Sequence, residues 1–193
     1  NNCIFQIHMN TFTALIKLNV INLDRNILKT IDRNLFQRLS ELRSLHLSDN
    51  RLERFFLDRN LKKLTFLDLS YNPQLKEINF NNVRNLIYLN LSNCSNLNSF
   101  QDLRFLSKLE TLYISQMNSR LLNTLTFSNF KILKELDLTE NNLNSIDSLD
   151  EISKNIEKLV SKNSNGTLKL NNTSSLLNLK ELIISSKFEA WNN

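Results

Sequence analysis

The chain has 193 residues, of which 41% are apolar, and 24 Lys and Arg against 19 Asp and Glu give a net charge of +5. This length and apolar content suit one elongated core and do not indicate two domains. The sequence has no apolar run long enough for a membrane-spanning helix, no Gly-rich phosphate loop and no His or Cys cluster with metal-ligand spacing. We therefore expect neither a cofactor nor a membrane span in this chain.

One figure recurs along the chain: Leu, another Leu three residues later, a third after two more, and a polar residue after three more. Successive copies start 22 to 24 residues apart, a period typical of a solenoid whose units stack because none buries its apolar side alone. The copies are LNVINLDRN at Leu18, LRSLHLSDN at Leu42, LTFLDLSYN at Leu64, LIYLNLSNC at Leu86, LETLYISQM at Leu109, LKELDLTEN at Leu133, IEKLVSKNS at Ile156 and LKELIISSK at Leu179.

The first residues match the interior of a repeat. The stretch NCIFQIHMNTF from Asn2 aligns with NILKTIDRNLF from Asn26, so that Cys3 matches Ile27 and Phe12 matches Phe36. The sequence therefore predicts a single solenoid domain over residues 1–193, with about eight repeats and an N-terminal end truncated in mid-repeat.

The polar residue of the figure follows a short strand. In LHLSD, two Leu flank one outward residue, as the period of two in a strand requires. A buried side-chain amide at the next position can bond the free backbone groups of adjacent turns, so we expect a stacked structural ladder. Cys94 takes the equivalent place in its repeat as a small buried residue. The predicted ladder residues are Asn26, Asn50, Asn72, Cys94 and Asn141.

The figure L-x-x-L-x-L-x-x-N resembles the leucine-rich repeat over essentially the whole chain. The resemblance implies an α/β solenoid, a horseshoe with one parallel sheet on its concave face and short 3₁₀ or extended segments on its convex face. The Phe-bearing stretches FQRLSEL, FNNVRNL and FSNFKIL are similar to Toll-like ectodomains, whereas the run from Leu97 to Ile114 is closer to intracellular and bacterial subfamilies. The compartment stays open, with a lean towards the extracellular space or cell surface.

Outward positions of the predicted sheet indicate a binding site. Phe66, Tyr88 and Tyr113 stand on three successive strands, and an aromatic centre with a polar, acidic border is typical of an interaction hot spot. With the resemblance, this predicts a non-catalytic protein-binding module within a larger receptor or adaptor, or alternatively an intracellular scaffold. We expect the partner to offer basic or amide groups. The expected border consists of Asp68, Asn90, Thr111, Glu135 and Asp137.

One constellation suggests an enzyme instead. His46 and Asp68 occupy the same outward position on adjacent strands, with Ser48 and Ser70 beside them, as in the parts of a hydrolytic triad. The repeat exposes polar side chains at these positions throughout, and no oxyanion site or enclosing pocket is indicated. A solvated His–Asp pair is therefore the favoured interpretation.

Charge and glycosylation signals leave other questions open. The positive net charge raises nucleic acid as a partner, but the sequence shows no stripe of interleaved aromatic and basic residues of the kind that binds single strands, so nucleic acid is not favoured. Sequons are about as frequent as chance predicts in a chain so rich in Asn, so they do not decide the compartment. The oligomeric state is not predicted. The sequons begin at Asn90, Asn93, Asn165, Asn171 and Asn172.

Overall fold

The computed structural model describes residues 2–57, 60–80, 83–117, 122, 127–141, 154–162 and 176–184. The sequons at Asn165, Asn171 and Asn172 lie outside the described residues. Within the described ranges, no helix is long and apolar enough to cross a membrane.

The described residues form ten short strands. Eight of them make one parallel sheet in the order β1-β2-β4-β6-β7-β8-β9-β10, which confirms the predicted solenoid with one strand for each repeat. The strands are β1 (Val20–Asn22), β2 (Ser44–His46), β3 (Arg54–Phe56), β4 (Phe66–Asp68), β5 (Glu77–Asn79), β6 (Tyr88–Asn90), β7 (Thr111–Tyr113), β8 (Glu135–Asp137), β9 (Lys158–Ser161) and β10 (Glu181–Ile184).

The core runs along the inner side of this sheet. Each strand from β1 to β8 has an apolar residue at its centre, and pairing aligns these residues, as Leu45 with Leu67. Side chains alternate along a strand, so the central residue faces the core while its neighbours face outward. Burying a Leu side chain stabilises the fold by about 2 kcal/mol. Buried Phe side chains fill the core from the convex side: Phe36, Phe55, Phe80 and Phe130.

The convex side contains a second sheet that the sequence analysis did not predict. Strands β3 and β5 pair in parallel with Phe55 opposite Ile78, both buried, and Arg54 bridges to Glu77 at 3.5 Å. The later repeats turn through 3₁₀ helices instead, at Gln101–Phe105 and Phe127–Asn129. The expected short 3₁₀ and extended segments are therefore both present.

Six strands of the main sheet are each followed, three residues after the strand ends, by a residue in the left-handed conformation. Each such residue immediately precedes the ladder position, and its φ lies between 53° and 62°. Its N–H donates to the next repeat, as from Arg25 to Ser48 O at 2.9 Å, so parallel pairing continues past the strand. None of the six is Gly, although this region costs residues other than Gly, Asn and Asp about 1–2 kcal/mol each. They are Arg25, Asp49, Tyr71, Asn93, Gln116 and Glu140.

Candidate functional site

Strand register arranges the outward side chains of the concave face in two columns. The first column contains the first residue of each strand, and the second column contains the third. Parallel neighbours lie about 4.8 Å apart, so side chains within a column touch. From β2 to β9, the first column consists of Ser44, Phe66, Tyr88, Thr111, Glu135 and Lys158. From β2 to β8, the second column consists of His46, Asp68, Asn90, Tyr113 and Asp137.

Four rings lie in contact near the middle of these columns, and we call them the aromatic run: His46, Phe66, Tyr88 and Tyr113. The Phe66 and Tyr88 rings stack with centroids 4.2 Å apart and planes within 5°. His46 lies 4.7 Å from Phe66, and Tyr113 meets Tyr88 edge-on at 5.5 Å. All four residues are half-buried. The three predicted aromatic residues are thus together, and the His46 ring extends them, which the repeat pattern did not indicate.

The two Tyr hydroxyls have hydrogen-bond partners within the site. The Asn90 amide donates to the Tyr88 hydroxyl oxygen, while the Tyr113 hydroxyl donates to the Glu135 carboxylate. Burial raises the pKa of Tyr88 to about 12, with a further contribution from the Asp68 charge. Burial, followed by the bond to Glu135, raises the pKa of Tyr113. Both phenols are therefore neutral at physiological pH and serve as hydrogen-bonding groups.

Three polar residues of the predicted border also hold the backbone. Oδ1 of Asp68, Asn90 and Asp137 accepts the N–H two residues later, at 2.9, 3.0 and 2.8 Å. Asp68 Oδ1 also accepts the Ser70 hydroxyl at 2.6 Å. These bonds use one oxygen of each carboxylate. The pattern D/N-x-S/T, visible in the sequence as DLS, NLS and DLT, is the local signal for such a turn.

The face beyond the aromatic run is charged and acidic overall. Lys158 lies between two carboxylates, 3.2 Å from Glu135 and 3.3 Å from Glu181. Thr111 separates Tyr88 from Glu135 in the first column. Asp68 and Asp137 add negative charge in the second column. The aromatic run therefore has an acidic surround, which attracts cationic groups.

The His46 and Asp68 pair stands side by side, as the register requires. The imidazole Nε2 lies 2.9 Å from the Ser44 hydroxyl, and the ring packs on Phe66. Asp68 bonds Ser70 through both the backbone N–H and the hydroxyl. The hydrogen bonds of the two residues thus lead to different partners. Among the described residues, no group of three His, Cys, Asp or Glu side chains could hold a metal ion.

The ladder residues lie behind the concave sheet. Asn26, Asn50, Asn72 and Asn141 are buried, and each amide donates to backbone carbonyls of its own turn, as Asn72 Nδ2 does to Leu69 O at 2.8 Å. Each Oδ1 accepts an N–H from the preceding repeat, as Asn50 does from Leu28 at 3.1 Å.

Cys94 replaces one of these amides. Its Sγ donates to Leu69 O at 3.2 Å, which continues the bonding to the preceding repeat. Burial raises the pKa of the thiol to about 12, so it stays protonated and unreactive at neutral pH. Ladder geometry therefore places Cys94 in a structural position behind the concave sheet.

Comparison with known proteins gives matches to two repeat families. Residues 1–52 match the model described as "Leucine rich repeat", and residues 40–82 match "Leucine Rich repeats (2 copies)". The chain is 35% identical over 161 residues to an adenylate cyclase of Schizosaccharomyces pombe, covering 74% of this chain and 9% of that protein. It is 32% identical over 136 residues to human epiphycan, covering 68% of this chain and 41% of that protein. The chain thus spans less than half of each relative.

Solved structures share the architecture. The functional domain of InlJ from Listeria monocytogenes superposes with a TM-score of 0.74 at 21% identity, covering 98% of this chain and 39% of that one. TLR13, solved in complex with ssRNA13, superposes with a TM-score of 0.69 at 24% identity, covering 94% and 28%. Identities this low establish the fold alone. Residues 1–82 are therefore leucine-rich repeats, and the described part of the chain continues them as a solenoid with one main-sheet strand in each turn.

Proposed function

We propose that this chain is a non-catalytic protein-binding module of a larger receptor or adaptor, and that it binds its partner on the concave face. The observation that carries the proposal is the aromatic run at the middle of the main sheet. Four rings in contact, half-buried and bordered by polar groups, have the anatomy of an interaction hot spot. A protein partner could bury these rings and exclude water from the hydrogen bonds around them.

The border supports a partner with basic or amide groups. Asp68, Glu135 and Asp137 supply carboxylates, Asn90 supplies an amide and Thr111 a hydroxyl. The two neutral Tyr hydroxyls can bond an amide or a guanidinium from the partner. Because carboxylates border the rings, association should weaken as salt is added.

An intracellular scaffold would use the same face, so this alternative differs in compartment and not in binding chemistry. A hydrolase built on His46 and Asp68 is less well supported, because His46 bonds Ser44 and packs on Phe66 while Asp68 bonds Ser70. The match to an adenylate cyclase covers 9% of that protein, and we do not extend its activity to this chain.

The test begins with a peptide library displayed against the immobilised chain, followed by dissociation constants for the selected peptides. Tyr88→Ala and Tyr113→Ala should each cost at least about 1 kcal/mol of affinity, roughly a fivefold rise in Kd. Arg38→Glu on the convex side is the control and should leave Kd unchanged. Selected peptides should be rich in Lys and Arg.

Stability must be measured on the same variants, because each Tyr also packs on a neighbouring ring. Tyr88→Phe and Tyr113→Phe keep the ring contacts and isolate the contribution of the hydroxyls. Peptides that still bind after loss of both rings, yet are released by Arg38→Glu, would place the site on the convex side and overturn the proposal.

A further inference from the structure

Five exposed cations lie on the flank of the solenoid that precedes the main strands, and we call them the basic stripe. Four of them occupy the same place, two residues before the first apolar residue of the repeat figure. The repeat between them has Ser107 at that place, and Lys108 follows directly. The stripe thus crosses five successive repeats: Lys62, Arg84, Lys108, Lys131 and Lys154.

Backbone pairing beside the stripe fixes its alignment. In four successive repeats, the residue immediately before the main strand donates its N–H to the carbonyl of the equivalent residue in the preceding repeat, at 2.8–2.9 Å. Neighbouring turns therefore follow at the spacing of parallel strands, about 4.8 Å. The bonds are Ile87 to Thr65, Glu110 to Ile87, Lys134 to Glu110 and Glu157 to Lys134.

A row of Asn amides on the same flank holds the backbone of the stripe. Asn85 Nδ2 donates to Lys62 O at 2.7 Å, Asn155 donates to Lys131 O, and Asn178 donates to Lys154 O. Lys108 Nζ donates to Asn85 Oδ1 at 2.7 Å, which draws that ammonium back towards the preceding repeat. The backbone positions of the cations are thus set before any ligand binds, which lowers the entropic cost of binding.

Carboxylates on this flank are already paired with other cations. Glu41, Glu110 and Glu157 each bond a Lys of the following repeat at 2.7 Å. Those cations are Lys63, Lys134 and Lys180. Across the part of the chain that the structure describes, no ion pair includes a residue of the basic stripe. The stripe is therefore a linear array of positive charge with neutralised neighbours.

We propose that the basic stripe binds a linear sulfated polysaccharide. Clustered Lys and Arg side chains bind polyanions through charge alone, with little demand on shape. The array is essentially one column wide, and the paired carboxylates Glu110 and Glu157 lie between it and the concave face. A thin chain can follow such a column, whereas a nucleic-acid duplex is wide enough to extend onto these ion pairs, which add no net positive charge for its second strand.

Single-stranded nucleic acid fits the stripe less well. Its binding sites combine a cationic groove with open aromatic faces on which bases stack. Phe105 is the aromatic residue closest in sequence to Lys108, and the Arg104 guanidinium covers its ring at 4.8 Å from the centroid. The proposed polysaccharide site is separate from the concave face, so it holds or fails independently of the protein-binding proposal.

The experiment measures binding of a heparin oligosaccharide that spans five repeats, by calorimetry on the full chain. Replacing Lys62, Lys131 and Lys154 together by Gln should weaken binding at least about tenfold and reduce the log–log salt slope by roughly two. The control replaces Lys29, Arg51 and Lys76 by Gln; these residues are exposed and follow the ladder positions instead of preceding the main strands. The control removes the same charge and should leave the affinity nearly unchanged. Circular dichroism checks that both variants fold. If the triple variant does not fold, the double variant Arg84→Gln with Lys108→Gln takes its place.

Three competing probes complete the test: the matched non-sulfated polysaccharide, a DNA duplex and phosphatidylserine vesicles. We expect heparin to bind more tightly than each of them at equal ionic strength. Equal losses in the stripe variant and the control would show a response to net charge alone and would overturn the proposal. Tighter binding of the duplex or the vesicles would also overturn it, in favour of nucleic acid or a membrane surface.

Discussion

Replacing Asn50 by Leu should lower the free energy of unfolding by about 2 kcal/mol, within a range of about 1–3 kcal/mol. Asn50 is almost fully buried and joins its own turn of the solenoid to the preceding turn. Its Oδ1 accepts the Leu28 N–H at 3.1 Å, and its Nδ2 donates to the carbonyls of Leu23, Leu47 and Ser48 at 3.0–3.1 Å. Leu has the same number and branching of side-chain heavy atoms, so the substitution removes these bonds without opening a cavity.

The cost arises mainly from one donor. Leu28 is fully buried, and within the described residues its N–H has no partner besides Asn50. A buried N–H without an acceptor loses its full desolvation free energy, about 1–3 kcal/mol. Each carbonyl keeps a second donor after the substitution: Leu23 O keeps Asn26 Nδ2 at 2.9 Å, Leu47 O keeps Asn72 Nδ2 at 3.0 Å, and Ser48 O keeps the Arg25 N–H at 2.9 Å.

Urea denaturation followed by circular dichroism measures this difference, with the m-value checked for each variant because repeat proteins can depart from two-state unfolding. Asn26→Leu is the matched control. It removes an amide at the same place in the repeat, but the N–H that loses its acceptor belongs to Ile4, which is 38% exposed and can bond water. The control should therefore cost clearly less. A neutral Asn50→Leu, or equal losses at both positions, would refute the reasoning.

Three further predictions concern single positions. Arg25→Asn should raise the free energy of unfolding by up to about 1 kcal/mol in thermal denaturation, because Asn adopts the left-handed region at lower cost than Arg, whose φ here is 57°; a loss of stability would contradict this. The Tyr88 pKa of about 12 exceeds its ordinary value of 10.0, so the folded state keeps a proton that the unfolded state releases, and stability should fall as pH rises from 10 to 12. Tyr88→Phe should lessen that fall, and an unchanged pH profile would argue against it. Iodoacetamide at neutral pH should label exposed Cys3 in the native protein and both cysteines in urea, as counted by mass spectrometry. Cys94 should escape native labelling because it is buried and its thiol pKa is raised to about 12. Rapid native labelling of Cys94 would contradict its ladder position.

Much of the candidate site follows from the repeat figure. Because one strand occurs in each repeat, aligning the copies places Phe66 beside Tyr88 in one column and His46 beside Asp68 in the next, as the strand register has them. Alignment alone could not say how the rings meet. The stack of Phe66 on Tyr88 and the bond from His46 to Ser44 depend on side-chain rotamers and on local twist between strands.

By itself, the sequence determined the repeat, the parallel main sheet and the positions of the inward Leu and Asn side chains. These features depend on a short residue pattern that is present within each repeat and recurs in the next. Only the tertiary structure decided which side chains interact across repeats. The convex pairing of Phe55 with Ile78, the bond from the Tyr71 N–H to Ser92 O and the bond from Asn85 to Lys62 O each require two segments at a particular mutual register. Such contacts join residues that are far apart in the chain, and no local pattern encodes their geometry because stacking of the turns alone brings them together.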